Sequence, residues 1–459
     1  MRLQSPWPPR LNSGTQPPAE RLADTLAEDI LAGTLAAGDR LPAHRDLAWR
    51  LEIGVGSVTR AYAMLERRGL VRSVKGRGMF VSARPGSHSS FLDLASNMPP
   101  PMFSDRALAR TLNRLARSVD PALFNIYPPV AGHIEHRRIM AHWLEELGLT
   151  TAPEQLLLTS GAQQALSVAF SVAHQHADLV LTENLTYPGM LGAIRQTGAA
   201  LRGIAMDERG ICPAALEEAL AGLRGQRAVL YLTPTMHNPT TATMDRQRRE
   251  DIVRLCRRFD ALIIEDGVYV CKPDNALPDL ISLAPERVFH VSSLSKILSP
   301  GLRIGALTPP EPFREACLGA LLCSSLMIAP LSYAMMAQWM QDGTATSVRQ
   351  SLRTEAARRR ELAASVLGSR MVTPAYDAFH VWMPMPASQV QAVITQARSY
   401  GVLVTDPAPF HAEAKSEPSG VRLCLGPAPL PDLTEALHRV RAACMATEPK
   451  VSRDTIPIA

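Results

Sequence analysis

The chain has 459 residues, 48 Lys+Arg against 43 Asp+Glu, a formal net charge of +5 and 46% hydrophobic residues. That length exceeds one compact core and points to a large α/β unit with a smaller module beside it. No apolar run reaches the roughly 18–20 residues that cross a bilayer, and prolines occupy the N-terminal stretch where a secretory signal keeps its apolar core, so a cytoplasmic protein with no membrane partner is expected. Seven cysteines, odd in number and without a CxxC pair, argue against a disulfide frame or a zinc site and for reduced thiols. Residues 1–84 hold 13 of the Lys+Arg and 8 of the Asp+Glu, and the remainder of the chain is balanced. The whole positive excess therefore sits in the first fifth, where contact with a polyanion is expected.

Within residues 18–32, Leu22, Leu26 and Ile30 recur one helical turn apart with Arg21 and acids between them, the pattern of an amphipathic helix ended by Gly33. The turn Gly38-Asp39-Arg40-Leu41-Pro42 leads to a short helix near 44–51. Across Glu52-Ile53-Gly54 follows a second, near 56–68, with Val58, Ala61, Tyr62 and Leu65 on one face. Helix, tight turn, helix is a DNA-reading geometry. The second helix carries Ser57, Thr59 and Arg60 near its N-terminus, where side chains and unsatisfied amides can approach phosphates and base edges. Leu70-Val71-Arg72 and Met79-Phe80-Val81 are expected to pair as a hairpin around Lys75-Gly76-Arg77-Gly78, a wing with Lys75 and Arg77 at its tip. Together these segments resemble the winged helix-turn-helix of GntR-superfamily regulators over residues 18–82. The resemblance implies a double-stranded DNA operator as partner, with Arg45, Thr59, Arg60 and Arg77 as contacts, Arg45 to phosphate. Residues 83–91 are polar and unpatterned and read as a short linker.

From about residue 150, apolar β-type runs alternate with helical stretches: Leu156-Leu157-Leu158, Leu179-Val180-Leu181, Val229-Leu230-Tyr231-Leu232, Leu262-Ile263-Ile264 and Val288-Phe289-His290-Val291. This is the signature of a buried, mostly parallel sheet with helices on both faces, and in such sheets ligands collect at the carboxyl ends of the strands. The residues that follow each run are therefore the informative ones. The first run is followed by Thr159-Ser160-Gly161-Ala162-Gln163, small residues opening a helix where a phosphate can dock. The second is followed by Thr186-Tyr187-Pro188-Gly189, with an aromatic face at the sheet edge. After the third comes Asn238, able to donate to a phenolate oxygen. After the fourth comes Glu265-Asp266-Gly267-Val268-Tyr269, a carboxylate at a buried strand end that needs a cationic partner. The fifth leads into Ser293, Ser295, Lys296 and Arg303. Only 5 of the 48 basic residues are lysine, so an amine here is informative: a guanidinium cannot replace it in a Schiff base.

This order resembles the fold-type I enzymes that use pyridoxal 5'-phosphate (PLP), the aspartate aminotransferase superfamily, over residues 92–445. The resemblance implies a large part at about 125–310 and a small C-terminal α/β part at about 345–445. It implies that Lys296 carries PLP as a Schiff base, that Asp266 pairs with the pyridinium nitrogen, that Asn238 and Tyr269 hydrogen-bond the 3'-oxygen, and that Tyr187 stacks on the ring. Gly161, Ala162, Gln163, Ser293, Ser295 and Arg303 would hold the phosphate. Tyr127 would reach the phosphate of a partner subunit, and Arg422 would grip a substrate α-carboxylate through a bidentate fork. The pairs His133/His136 and His174/His176 lack a metal-binding frame, and no metal is expected.

A GntR-type winged helix joined to an aminotransferase-like domain resembles the MocR regulators across nearly the whole chain. The implied function is a DNA-binding regulator, a head-to-tail homodimer, that senses PLP or its aldimine with an amino-acid-like effector. A working aminotransferase carrying a DNA-binding domain is the alternative, and turnover with an amino donor and a keto acid separates the two. A regulator whose large domain has lost PLP is disfavoured by the joint presence of Lys296, Asp266, Asn238 and Arg303.

Overall fold

The computed structural model describes residues 5–12, 16–31, 34–36, 38–67, 70–74, 77–81, 91–101, 105–269, 277–376, 379–413 and 418–448. The chain divides into two units, Met1–Ser90 and Phe91–Ala459. Lys75 and most of the 83–91 linker lie outside the described residues.

In the first unit, helices Pro18–Leu31, His44–Arg50 and Val55–Arg67 precede an antiparallel pair, Val71–Val74 with Gly78–Val81. The periodic apolar positions meet as expected: Leu22, Leu26, Leu47, Val58, Ala61 and Leu65 are fully buried in one cluster. Tyr62 is buried among them and donates its hydroxyl to the Pro42 carbonyl at 2.8 Å, which satisfies its polar end inside an apolar core. Two features were not legible in the sequence. The turn after Gly38 is bonded to the second strand, Leu41 N to Met79 O and Val81 N to Asp39 O, both at 2.8 Å, so it acts as an inner edge of the wing. Trp7 is also buried, its indole donating to Asp29 Oδ2 at 2.7 Å, which clamps the chain ahead of the first helix onto that helix.

The second unit is built on a seven-stranded sheet whose order in space is Leu157–Thr159, Gly305–Thr308, Val288–Ser293, Leu262–Asp266, Ala228–Leu232, Leu179–Glu183 and Ala200–Ile204. Gly305–Thr308 is antiparallel to both its neighbours, and the other strands run one way. The runs read from sequence are buried on both faces, as a sheet covered by helices requires; Val229, Leu230, Tyr231 and Leu232 are all fully buried. Their carboxyl ends lie side by side along one edge of the sheet, and this edge carries the site.

A second cluster forms the C-terminal part. Strands His380–Pro384 and Gly420–Cys424 pair antiparallel, while Leu92–Leu94, from the opposite end of the unit, pairs parallel with Val402–Val404. Helices Thr344–Leu367, Ala387–Ser399 and Leu430–Thr447 cover them, with Leu94, Val381, Leu423, Leu433 and Leu437 fully buried between. Leu92–Leu94 brings the first described residues of the unit to the edge of the site, which matters below. Among the described residues no single helix is long and apolar enough to cross a membrane.

Candidate cofactor-binding site

Asp266 ends the strand Leu262–Asp266 and is buried. Tyr231, fully buried on the neighbouring strand, donates to Asp266 Oδ2 at 2.9 Å, and the Val268 amide donates to Oδ1 at 3.3 Å. Burial raises the carboxyl above its ordinary range, and those two bonds together with the charges of His290 and Lys296 pull it back. A carboxylate so placed is best stabilised by a fixed cation, and a protonated ring nitrogen is one.

Lys296 lies in the turn after Val288–Ser293. Burial lowers its amine to about 8, with Cys424, Arg422, Asp266 and Arg303 near enough for their charges to act on it. Its Nζ donates to the Asn97 carbonyl. A lysine desolvated this far keeps a substantial neutral fraction near neutral pH, the form that attacks an aldehyde.

Gly161 caps the helix Ala162–Ala173 with φ 83°, in the left-handed region. A Cβ there would stand 2.5 Å from Arg303 Nη2, and a Cβ at Gly305 would stand 2.7 Å from the Gly161 carbonyl carbon. Only glycine allows this loop, the antiparallel strand and the guanidinium to approach so closely. Arg303, itself at φ 54°, reaches Ser160 O at 3.4 Å and Ser295 Oγ at 3.5 Å, and Ser293 Oγ donates to Ser295 Oγ at 3.0 Å. A helix N-terminus with unsatisfied amides, two hydroxyls and an arginine form a cradle whose chemistry suits a phosphate. Gln163 turns its side chain to Gly189 O at 3.1 Å, so it offers the cradle only its backbone amide; its side chain shares with the Tyr187 ring the space that a Cβ at Gly189 would fill.

Arg422, buried on Gly420–Cys424, donates Nη1 to Asn238 Oδ1 at 2.7 Å and Nη2 to Ala95 O at 3.0 Å, and its guanidinium lies 4.9 Å from the Phe410 ring centre. Asn238 is buried too, and its Oδ1 is engaged. Tyr269 accepts at its hydroxyl from Asn97 Nδ2 at 2.7 Å, and its ring lies 5.3 Å from that of His380. Burial holds His380 and His237 down to about 3, so both are neutral. Thus Lys296, Asp266, Tyr187, Asn238, Tyr269, Arg303 and Arg422 converge. Tyr127 does not: it is 78% exposed, beside Ile126 at 65% and Phe124 at 51%.

The donor set fits PLP: a helix N-terminus that only glycine lets Arg303 approach, a buried carboxylate in want of a cation, and a desolvated lysine whose amine feels the charges of both Asp266 and Arg303. Several neighbours of the site carry no sequence signal of their own, namely Ala95, Asn97, Tyr231, Glu183, His237, His380 and Cys424. Cys424 donates Sγ to Ala95 O at 3.3 Å. The histidine pairs flagged in the sequence are packing residues, with His136 stacked on Tyr333 and His174 on Phe170. Glu265, Asp279 and His290 bring ligand-type atoms within 4.8 Å of one another, but Glu265 already caps the amides of Leu280 and Ile281 at 2.8 and 3.1 Å.

In the first unit Arg45, Thr59, Arg60 and Arg77 are exposed and Ser57 is half-buried. Thr59 Oγ1 bonds back to Val55 O at 3.0 Å and Arg60 Nε to Gly56 O at 3.4 Å, which holds both side chains along the helix. His44 packs edge-on against Tyr62 at 4.9 Å between ring centres, so its place before Arg45 is one of support.

Residues 89–440 match the family model described as aminotransferase class I and II, and residues 18–81 match that of bacterial regulatory proteins, gntR family. The chain is 29% identical over 468 residues to the HTH-type transcriptional regulator TauR of Rhodobacter capsulatus, covering 90% of this chain and 94% of that protein. It is 27% identical over 421 residues to the vitamin B6 salvage pathway transcriptional repressor PtsJ of Salmonella typhimurium, covering 89% and 94%. Among solved structures, the α-aminoadipate aminotransferase LysN of Thermus thermophilus, complexed with N-(5'-phosphopyridoxyl)-L-leucine, shares the fold with a TM-score of 0.70 and 24% identity over 78% of this chain and 93% of that one.

Proposed function

The chain belongs to the class I and II aminotransferase family and carries a gntR-family module at its N-terminus, the MocR-type arrangement, and from this we propose that it is a PLP-responsive transcriptional regulator. The observation that carries the reading is the presence, in one chain, of an exposed basic helix-turn-helix face and a complete cofactor residue set around Lys296 and Asp266. Relatives spanning about nine-tenths of the chain are transcriptional regulators, one of them of vitamin B6 salvage.

Bound PLP supplies an electrophilic carbon on an electron-withdrawing ring. Lys296 offers the amine that holds it, Asp266 keeps the ring nitrogen protonated, and Arg303 with Ser293, Ser295 and the amides after Gly161 neutralises the phosphate. Asn238 and Tyr269 donate to the ring oxygen and Tyr187 covers the ring face. Arg422 selects effectors with a carboxylate, so an amino acid or close analogue is the expected effector. Arg45, Ser57, Thr59, Arg60, Lys75 and Arg77 contact operator DNA. The exposed Phe124, Ile126 and Tyr127 support a homodimer, head-to-tail, in which Tyr127 serves the partner's phosphate site, and a cytoplasmic location follows from DNA as partner. A second reading, true aminotransferase activity, is favoured by the amine of Lys296 held near 8 beside an intact carboxylate fork.

Visible absorbance of the purified protein, titrated with amino acids and then a keto acid, tests both readings. A band that shifts with an amino acid and persists supports a sensor. Conversion to the amine form of the cofactor, reversed by keto acid, makes the enzyme reading the leading one. Lys296→Ala is expected to lose the visible band and the borohydride-fixed adduct while keeping basal DNA affinity; a variant that kept a reducible adduct would sink the assignment.

A further inference from the structure

The segment Ala95–Asn97 follows the strand Leu92–Leu94 and lies against the site from a part of the sequence far from every strand-end motif above. Ala95 O accepts from Arg422 Nη2 at 3.0 Å, from Thr405 Oγ1 at 3.2 Å and from Cys424 Sγ at 3.3 Å. Asn97 O accepts from Lys296 Nζ, and Asn97 Nδ2 donates to Tyr269 Oη at 2.7 Å. The segment is held at both ends. Asp93 Oδ1 accepts from the amides of Ala95 at 2.7 Å and Ser96 at 3.1 Å, an Asx turn. Beyond Asn97, the Met98 carbonyl occupies the place of a Cβ at Gly426, 1.7 Å from where that atom would be.

A tyrosine hydroxyl both donates and accepts, and which it does toward a ligand depends on what else holds it. Asn238 has its acceptor oxygen taken by Arg422, so its amide hydrogens are what it has left to give. Asn97 Nδ2 likewise fills an acceptor position of the Tyr269 hydroxyl. We propose that Asn97 is a positioning residue of this pocket: by filling an acceptor lone pair of Tyr269, it biases the Tyr269 hydroxyl to donate toward the ring oxygen of the cofactor. The inference rests on the PLP reading and adds to it a residue from outside the strand-end motifs. Asn97 is half-buried, so its side chain reaches Tyr269 from the edge of the pocket.

A donor at the 3'-oxygen withdraws negative charge from it and lowers the pH at which the lysine-bound cofactor gives up its proton. The experiment is a pH titration of the visible band in PLP-loaded wild type, Asn97→Ala, Asn97→Asp, Tyr269→Phe and the Asn97→Ala/Tyr269→Phe double variant, with melting curves to confirm folding. Asn97→Ala is expected to raise the midpoint by about 0.5–1 pH unit. Asn97→Asp, of the same size but able only to accept, is expected to raise it further. In the Tyr269→Phe background the Asn97→Ala shift is expected to vanish, since the hydroxyl through which it acts is gone. A wild-type midpoint in Asn97→Ala, or an equal shift with and without the hydroxyl, overturns the role of Asn97 while leaving the PLP site standing. A wild type with no visible band overturns the PLP reading and the inference with it.

Discussion

Arg422 Nη1 and Asn238 Oδ1 are 2.7 Å apart, which joins the residue that would grip an effector carboxylate to one that would face the cofactor ring. On the proposed reading, ligand and cofactor would be read by one hydrogen-bonded unit; the other arm of the fork rests on a backbone carbonyl, that of Ala95, in place of a carboxylate. An incoming carboxylate would exchange a neutral acceptor for a charged one, a gain that would favour binding.

Arg422→Lys keeps the charge and loses the fork. Amino-acid affinity, read from the visible band, is expected to fall about 10–100-fold, or about 1.5–3 kcal/mol, with PLP affinity changed only a few-fold. An unchanged amino-acid affinity would remove Arg422 from the effector site.

Glu183 bears on stability rather than affinity. It is fully buried, accepts from the Thr233 amide at 3.2 Å, and has Oε2 4.0 Å from His237 Nε2, with burial lifting its carboxyl from the ordinary 4.5 to about 8. The native state therefore keeps a proton that the unfolded chain releases near 4.5, and between these values folding is linked to proton uptake. Stability falls as pH rises through that window, the reverse of a salt-bridged carboxylate, and Glu265, also lifted to about 8, acts in the same direction. Glu183→Gln is expected to flatten the decline in melting temperature between about pH 5 and about pH 8. An identical slope in wild type and variant would show that Glu183 does not carry this proton.

For the DNA face, Arg60→Ala and Arg77→Ala are each expected to weaken binding across all sequences and to reduce the slope of log affinity against log salt by about one. Fluorescence anisotropy over a salt series measures this. A slope unchanged in both variants would place the phosphate contacts elsewhere on the module.

The strand-end motifs were legible because a parallel sheet brings the carboxyl ends of its strands together whatever lies between them in sequence, so Gly161, Tyr187, Asn238, Asp266 and Lys296 declared themselves by position. The same reasoning was blind to partners supplied by tertiary packing. Asn97 is 199 residues from Lys296, and no local pattern marks a carbonyl as an acceptor. Tyr231 read as one apolar residue in a strand, yet it holds Asp266. Gly305–Thr308 has four residues, too few for a periodic signal, although its first glycine fits Gly161 against the sheet. In the first unit the wing was readable from the short β-type runs on either side of its glycines, whereas the Trp7–Asp29 bond joins a stretch without helical period to a helix surface.

The first unit closes its own apolar core around Tyr62, whereas the ligand site waits for Arg422, on one of the last strands of the chain. During synthesis at ordinary speeds the face proposed to contact DNA would be complete on the order of half a minute before the proposed effector fork exists. On the proposed reading, each nascent chain would pass through an interval of unregulated operator affinity, and a message truncated after the first unit would make that interval permanent: its product would compete for the same sites and be deaf to the signal.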